Sequence, residues 1–584
     1  MKKYSSFILI LFLFVVTFLF LQIFSAYHFY YIEQFQLFLT TPACFFEGIS
    51  HPGGLTEYFS HFLVQFFIVP YCGALIETII LIAVFVAASR FVLRSEKSKV
   101  FFIIPASIYL SCLLMCFNFN VFFQGTLSFL LCLICLNIYI SVKRSLVRIV
   151  LVFITVPLLY WFAGSVSLLF AFCFTASELL NGKSKRRLAW LTLPIWALLV
   201  SWVAVRFSLT DNYKVSFLPD MYYQTKLSPS FNIYFPWILM LIWISVTTYL
   251  SKVQLSQKKV YWILGIQVML FVFLFGQGVI RYGDRDSYQV KKLDYYCRTE
   301  QWDKIIAESK KKEINNYLHL NYLNLALAEK GFLSGSMFGY NQKGPLSLEV
   351  SSQKKNVLSA LMSDISFAVG DIAAAQRYAF EGYETCSGNG SSRLLKRLIQ
   401  TNLIYGEYAV AEKYIQILEH TLFYRKWAIS QRKFLYNDSA CMNDALIATK
   451  RKCLPPSGSR AISGGFPQTL KTLVEINKEN KIARDYLLAF CLLTKDLKEF
   501  ENIFALYCTN EIKSGNLPVS YQQAVLMYYE SQPEKWKIFG VSPETVLLYK
   551  QYKYTFLKNR QDSGIKIIMH QQFASTYWFY FQFI

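Results

Sequence analysis

Three carboxylates and three imidazoles crowd into residues 28–61: Glu33, Glu47 and Glu57 with His28, His51 and His61. The chain has 6 histidines, so half of them sit here, and no Lys or Arg lies among them. Beside a low-dielectric medium such groups can do acid–base work, because desolvation raises a Glu toward the pKa of a usable general base. The bland alternative is a set of solvated interfacial residues. The intervening sequence, YYIEQFQLFLTTPACFFEGISHPGGLTEYFSHF, is aromatic and amphipathic, the composition of helices that lie in a membrane interface. His51-Pro52-Gly53-Gly54 marks a turn, with Pro fixing φ and Gly permitting positive φ.

Other candidates are more scattered. Glu77 stands inside the apolar run ALIETIILIAVF, where a carboxylate is costly and marks either a functional group or a buried pairing, for instance with Gln124. A second polar stretch, 206–234, carries Arg206, Lys214 and Lys226 with Asp211, Asp220, Tyr222 and Tyr223. Its cations either hold a lipid phosphate through charge-assisted bonds or are ordinary loop charges. Cys132 and Cys135 form a CxxC inside an apolar run with no second pair or His near it, which reads as packing. No zinc-ligand spacing occurs, and no metal is implied by the residues themselves.

The elements that must position these groups are mostly membrane spans. The 584 residues are 54% hydrophobic and only 16% charged, against about 25% charged in soluble domains. Apolar runs long enough to approach the roughly 20 residues of a crossing helix fall near 7–27, 62–89, 100–117, 121–141, 149–163, 165–181, 188–206, 235–251 and 260–280. The expectation is an all-α protein: about nine transmembrane helices in a domain 1–280, with outer loops 28–61 and 206–234, then a soluble helical-repeat domain 281–584. The basic residues Lys2 and Lys3, Arg90 to Lys99, Lys143 to Arg148, Lys183 to Arg187 and Lys252 to Lys259 fall in every second loop. By the positive-inside rule the amino terminus is cytoplasmic and the C-terminal domain lies outside. Met1 to Ala26 resembles a cleavable signal, but its apolar core Phe7 to Phe24 exceeds the roughly 7–15 residues of one, so it reads as an anchor.

The net charge of +22 does not signal nucleic acid, because the basic residues sit in short loops or scatter over helical faces. After Arg281 amphipathic helical patterns alternate with short connections. Gly370-Asp371-Ile372 with Ala375 and Tyr378 repeats as Gly406-Glu407-Tyr408 with Ala411 and Tyr414. Looser copies are Glu300-Gln301-Trp302 and Lys495-Asp496-Leu497. The pattern resembles tetratricopeptide repeats, an α-solenoid whose default role is binding on a concave surface. Three stretches do not fit it: 331–345 (GFLSGSMFGYNQKGP), 454–467 (LPPSGSRAISGGFP) and the aromatic tail 573–584, expected to pack on the domain or its membrane-facing side.

HPGGLTEYFSHFLVQFF and NYLNLALAEKGFLSGSMFGYNQKG resemble an uncharacterised family of inner-membrane proteins of Bacteroidota, a domain of unknown function. The resemblance implies a Gram-negative inner (cytoplasmic) membrane and a periplasmic C-terminal domain. More remotely, the architecture is similar to that of C-type (GT-C) glycosyltransferases, which keep a catalytic carboxylate in a long first outer loop and use a polyprenyl-phosphate sugar donor. Glu33 and Glu47 occupy comparable places, although that acid is often Asp and no Asp precedes Asp211 here.

Three classes of function stay open, and whether the protein is an enzyme is undecided. The first is a scaffold for cell-envelope processes that recruits periplasmic proteins through its repeats. The second is a lipid-linked glycosyltransferase, with Glu33 or Glu47 as base, His51 near the ligand, Arg206 or Lys214 on the donor phosphate, and a divalent metal or the polyprenyl-phosphate donor as cofactor. The third is a transporter, which rests on Glu77 alone and lacks any pair of broken helices. The partners expected are the lipid bilayer and periplasmic proteins, with no nucleic acid.

Overall fold

A computed structural model describes residues 2–94, 100–118, 120–142, 144–181, 187–224, 227–250, 252, 256–311, 314–350, 356–386, 390–456 and 465–584. Lys97, Lys99, Lys143, Lys183, Lys185, Arg186, Lys226 and most of the stretch 454–467 lie outside them. The described chain is helical throughout, with one isolated antiparallel bridge, Val121 to Tyr223, in place of any strand. It separates into two compact units, Met1–Tyr288 and Gln289–Ile584.

In the first unit, five helices are long and apolar enough to cross a membrane: Phe7–Glu33, Cys72–Val92, Ala189–Arg206, Phe231–Leu250 and Lys258–Tyr282. Four shorter apolar helices, Ile103–Met115, Phe123–Tyr139, Val147–Ala163 and Val166–Leu180, occupy the remaining expected runs. Exposed Phe7, Ile8, Phe12, Ile195, Trp262 and Met269 suit a lipid solvent rather than water. Several apolar helices therefore point to membrane association.

The first helix, Lys2–Glu33, has 32 residues. At 1.5 Å per residue that is about 48 Å, well beyond a hydrocarbon core of about 30 Å. Residues 28–33, expected in a loop, are therefore its last turns. His28, Phe29, Tyr31, Ile32, Glu33, Gln34, Phe35, Leu37 and Phe38 are all buried, so this part of the segment is packed protein and not a solvated interfacial loop. The run expected as one span over 62–89 is broken. Gly54–Val64 and the 3₁₀ turn Gln65–Ile68 end before Pro70, Tyr71 takes φ +70°, and the long helix starts only at Cys72. Pro70 has no N–H to continue a helix and biases Val69 to the extended conformation, with ψ 129°. A Cβ on Gly73 would lie 2.6 Å from the ring of Phe29, so glycine lets the first helix and the Cys72–Val92 helix approach closely.

In the second unit, sequence neighbours pack in series: Asn356–Val369 on Ile372–Glu384, that helix on Ser392–Tyr405, and that one on Tyr408–Glu419. The turns follow one recipe. Gly370, Gly406, Glu300 and Lys495 all have positive φ, and each is followed within two residues by the start of a helix. Asp371 and Asp496 cap their helices, accepting from Ala374 N at 2.9 Å and Glu499 N at 2.9 Å. The series departs from an open solenoid, in which repeats touch only their neighbours. Helix Lys481–Leu493 packs against Tyr317–Glu329, Leu333–Ser336 and Asn356–Val369, so the array folds back on itself.

The tail helix Tyr577–Phe583 plugs into this unit. Tyr577, Trp578, Phe579 and Tyr580 are buried. Tyr577 N donates to Gln523 Oε1 at 2.7 Å, Trp578 Nε1 to Gln523 O at 2.9 Å and Tyr580 O–H to Leu493 O at 2.7 Å.

Candidate functional site

The stretches 28–61 and 206–234 of the first unit meet at the HPGG turn. Gly53 has φ +82° and anchors the HPGG turn. Its N–H donates to Trp161 O at 2.9 Å, and its carbonyl accepts from Gln124 Nε2 at 3.0 Å and Thr56 Oγ1 at 3.0 Å. Trp161 Nε1 returns a bond to Ile49 O at 2.9 Å. The Met221 thioether, from the second loop, sits between Gly53 and Gly164. A Cβ on Gly53 would lie 3.1 Å from Met221 Cε, and one on Gly164 would lie 2.2 Å from its sulfur. Tyr222 O–H donates to Ala163 O at 2.5 Å, and Tyr222 O accepts from Phe122 N at 2.9 Å.

The predicted residues distribute around this knot. Glu33 is buried at the end of the first helix. Glu47 is exposed on the short helix Pro42–Gly48. Arg206 is exposed at the end of its helix, and Lys214 lies 3.1 Å from Asp220 of its own loop. Asp220 also accepts from Tyr234 O–H at 2.5 Å. Glu77 is buried, and its partner is the Cys116 thiol at 3.0 Å, while Gln124, suggested as its contact, turns to Gly53 instead.

His51 and Glu57 do form a pair, with Nε2 3.0 Å from Oε2. The hydrogen bond to Glu57 holds His51 above its ordinary pKa, against the opposing effect of burial. Burial would raise Glu57, but the bond from His51 and the nearby imidazoles hold it below the usual range. Burial lowers His61. The pair closes the turn across six residues, so its first role is to clamp the loop.

A concavity with room for a ligand lies in the second unit. It is an open cleft of about 1530 Å³, larger than the roughly 300–1,000 Å³ of ordinary small-molecule pockets. One wall is the segment 332–343, which no repeat pattern explains, and the opposite side comes from Lys566, His570 and the aromatic tail. Two asparagines on helix Tyr317–Glu329 hold that wall in place. Asn321 Nδ2 donates to Leu346 O at 2.8 Å and Asn324 Nδ2 to Ser347 O at 2.9 Å. Gln342 Nε2 donates to Met337 O at 2.8 Å. Phe338 rests on the Tyr577 and Tyr580 rings, with centroids 5.0 and 5.2 Å away.

Two glycines of the wall have no structural explanation within the fold. Gly335 and Gly339 lack positive φ, and a Cβ built on either meets nothing within 4 Å. Neither conformation nor packing requires glycine there, whereas close approach of a ligand to the backbone would. Among the described residues, the lining holds three lysine side chains, Lys310, Lys343 and Lys566, against one acidic side chain, Asp303. Asp303 is already bridged to Lys330 at 3.1 Å. Lys343 and Lys566 donate to backbone carbonyls, Asn315 O at 2.9 Å and Phe583 O at 3.0 Å.

A second charged cluster in this unit is a structural staple. Arg393 is buried between Asp294, at 2.6 Å, and Asp364, and Arg397 reaches Asp364 at 2.9 Å. Tyr322 O–H donates to Asp294 at 2.9 Å. Two cations match two anions across three helices, and none of the four lines the cleft. Among the described residues no group of three or more His, Cys, Asp or Glu is arranged to hold a metal.

Sequence reasoning missed the cleft because its sides come from residues 303–343 and 519–584, far apart in the chain. The available signal was that two of the three stretches outside the repeats, 331–345 and 573–584, supply much of the lining. The model of a family of unknown function, DUF6057, matches residues 1–584. The chain matches no curated protein and no solved structure. It belongs to that family.

Proposed function

For this member of the family we propose a membrane-anchored binding protein, a scaffold whose C-terminal helical unit, of tetratricopeptide-like ancestry, holds a partner in the cleft. The protein sits in an inner membrane with that unit on the outer face. The observation that carries the reading is the open cleft with two glycines on its wall that the fold does not require. The alternation of basic loops supports the orientation. Within the reading, the apolar helices are an anchor, and the outer-loop knot is the rigid connection that fixes their ends.

The test uses the full chain, tagged and isolated from its own membranes in mild detergent. The set of proteins that co-purify is compared with the set recovered by a Gly335→Leu/Gly339→Leu variant. A Cβ at either position meets nothing within 4 Å, and thermal unfolding of the variant should be unchanged. We expect at least one stoichiometric protein to be lost from the variant. Identical sets from two equally folded proteins would refute the binding reading. A reporter active only outside the cytoplasm, fused after residue 584, should be active.

A further inference from the structure

We propose that the cleft takes an extended, acidic peptide segment with apolar side chains; this rests on the binding reading above and names its ligand. Three observations converge on that class. The first is size. A cleft of about 1530 Å³ exceeds what one small molecule fills, and it is open, so a chain can run through it.

The second is charge. Among the described side chains of the lining, Lys310, Lys343 and Lys566 supply three positive charges, and the one acidic side chain, Asp303, is paired with Lys330. Lys343 and Lys566 are held in place by backbone carbonyls, which accept hydrogen bonds without cancelling charge. A ligand that brings carboxylates supplies the missing counter-charge, in a concave site where screening is weaker than on a flat surface.

The third is the rest of the lining. Ile306, Ala307 and Val519 offer aliphatic surface, and Phe332 is 54% exposed at the rim. Aliphatic surface rewards burial of apolar side chains at about 25 cal/mol per Å². A sugar chain would need carboxylate and amide groups for its hydroxyls. Here Asp303 is engaged, Gln342 is buried with its amide donating to Met337 O and paired with Asn324, and Asn341 is the remaining amide of the described lining. Gly335 and Gly339 leave backbone open to a peptide main chain, which carries one donor and one acceptor per residue.

A displayed library of random 12-residue peptides, selected on the full chain in zwitterionic nanodiscs against empty nanodiscs, tests the proposal. We expect recovered peptides to be enriched in Asp and Glu with interspersed apolar residues. Their binding should weaken at least about tenfold in a Lys310→Gln/Lys343→Gln/Lys566→Gln variant and fall steeply with salt. The Gly335→Leu/Gly339→Leu variant should lose them altogether. Peptides without acidic bias, or peptides that bind the lysine variant equally well, would overturn the acidic class. If such peptides still lose binding in the glycine variant, the cleft reading stands and only its ligand is wrong. Binding that survives the glycine variant counts against the cleft itself. Recovery of no peptide, with glycine-dependent binding of an acidic oligosaccharide such as oligogalacturonate, would replace the peptide by a glycan.

Discussion

Asn324 and Gln342 face each other amide to amide: Asn324 Nδ2 donates to Gln342 Oε1 at 3.1 Å, and Gln342 Nε2 donates to Asn324 Oδ1 at 3.2 Å. Both side chains are buried, so neither has water as an alternative partner. The pair ties the wall of the cleft to the helix behind it. Gln342→Leu should cost about 1–3 kcal/mol, the penalty for a buried amide left partly unsatisfied. Thermal unfolding measures the loss. Limited proteolysis should show new cleavage within 337–348 before other sites open.

The buried Asp294–Arg393–Asp364–Arg397 cluster predicts both a mutational and a pH effect. Removing the shared cation with Arg393→Met leaves carboxylates buried without their partner and should cost about 3–5 kcal/mol. Burial pushes Asp364 up, but the two guanidinium groups outweigh it and hold its folded pKa below the ordinary value. Its contribution is therefore present above the unfolded carboxylate pKa of about 3.9 and is lost as pH falls through the folded value. Arg393 is raised by the same pairs against the opposing effect of burial, so its contribution is constant at every pH below the ordinary guanidinium range. Unfolding followed from pH 8 to pH 3 should show a loss confined to the acid end. That acid loss should shrink in Asp364→Asn, which starts less stable.

The His51–Glu57 pair makes a prediction about proton affinity. His51 is raised, so its stabilisation is fully present below about pH 6.5 and is lost as pH rises through the folded value. Glu57 is lowered, so its share is present above about pH 4.3 and is lost as pH falls through its own folded value. The clamp is closed between those limits. Both side chains are partly exposed, and the free-energy effect is correspondingly small. Hydrogen exchange at the imidazole C2 position, read by mass spectrometry, gives each histidine's midpoint. His51 should titrate above 6.5 and His61 below it, and Glu57→Gln should bring His51 down. A His51 midpoint that ignores Glu57→Gln would show that the pair does not form.

The four turns of the second unit were legible because their physics is local. A residue at positive φ, an Asp, Glu or Gln next, then an apolar or aromatic helix start can be read in Gly370-Asp371-Ile372 as in Lys495-Asp496-Leu497. The alanine variants should differ in cost. Gly406→Ala meets no atom within 4 Å and should lose only the left-handed penalty of about 1–2 kcal/mol. Gly370→Ala adds a clash with Cys453 Sγ at 2.9 Å and should cost more. Lys495→Gly should stabilise, since it relieves the same backbone penalty at φ +63°. Chemical denaturation of the three variants gives the order directly.

The long apolar helices were legible for a related reason, since an apolar run is read residue by residue. What the sequence could not convey was pairing at a distance. Nothing near Glu77 in the chain announces Cys116, and nothing near Gly53 announces Met221. The break at Pro70 was readable, yet the apolar residues on both sides masked it. The cleft was hidden for the same cause. Its lysines, Lys310, Lys343 and Lys566, are unremarkable singly and become a set only when the tail packs beside the 332–343 wall.

The central claim is that a partner occupies this cleft in the cell. A benzophenone amino acid placed at Phe332, on the rim, and at Tyr554, 68% exposed and outside the cleft lining, tests it in intact cells under ultraviolet light. A discrete adduct at position 332, absent at 554 and abolished by adding Gly335→Leu/Gly339→Leu, is the predicted result. Equal adduct patterns at both positions, or a 332 adduct that the leucines leave untouched, would contradict it.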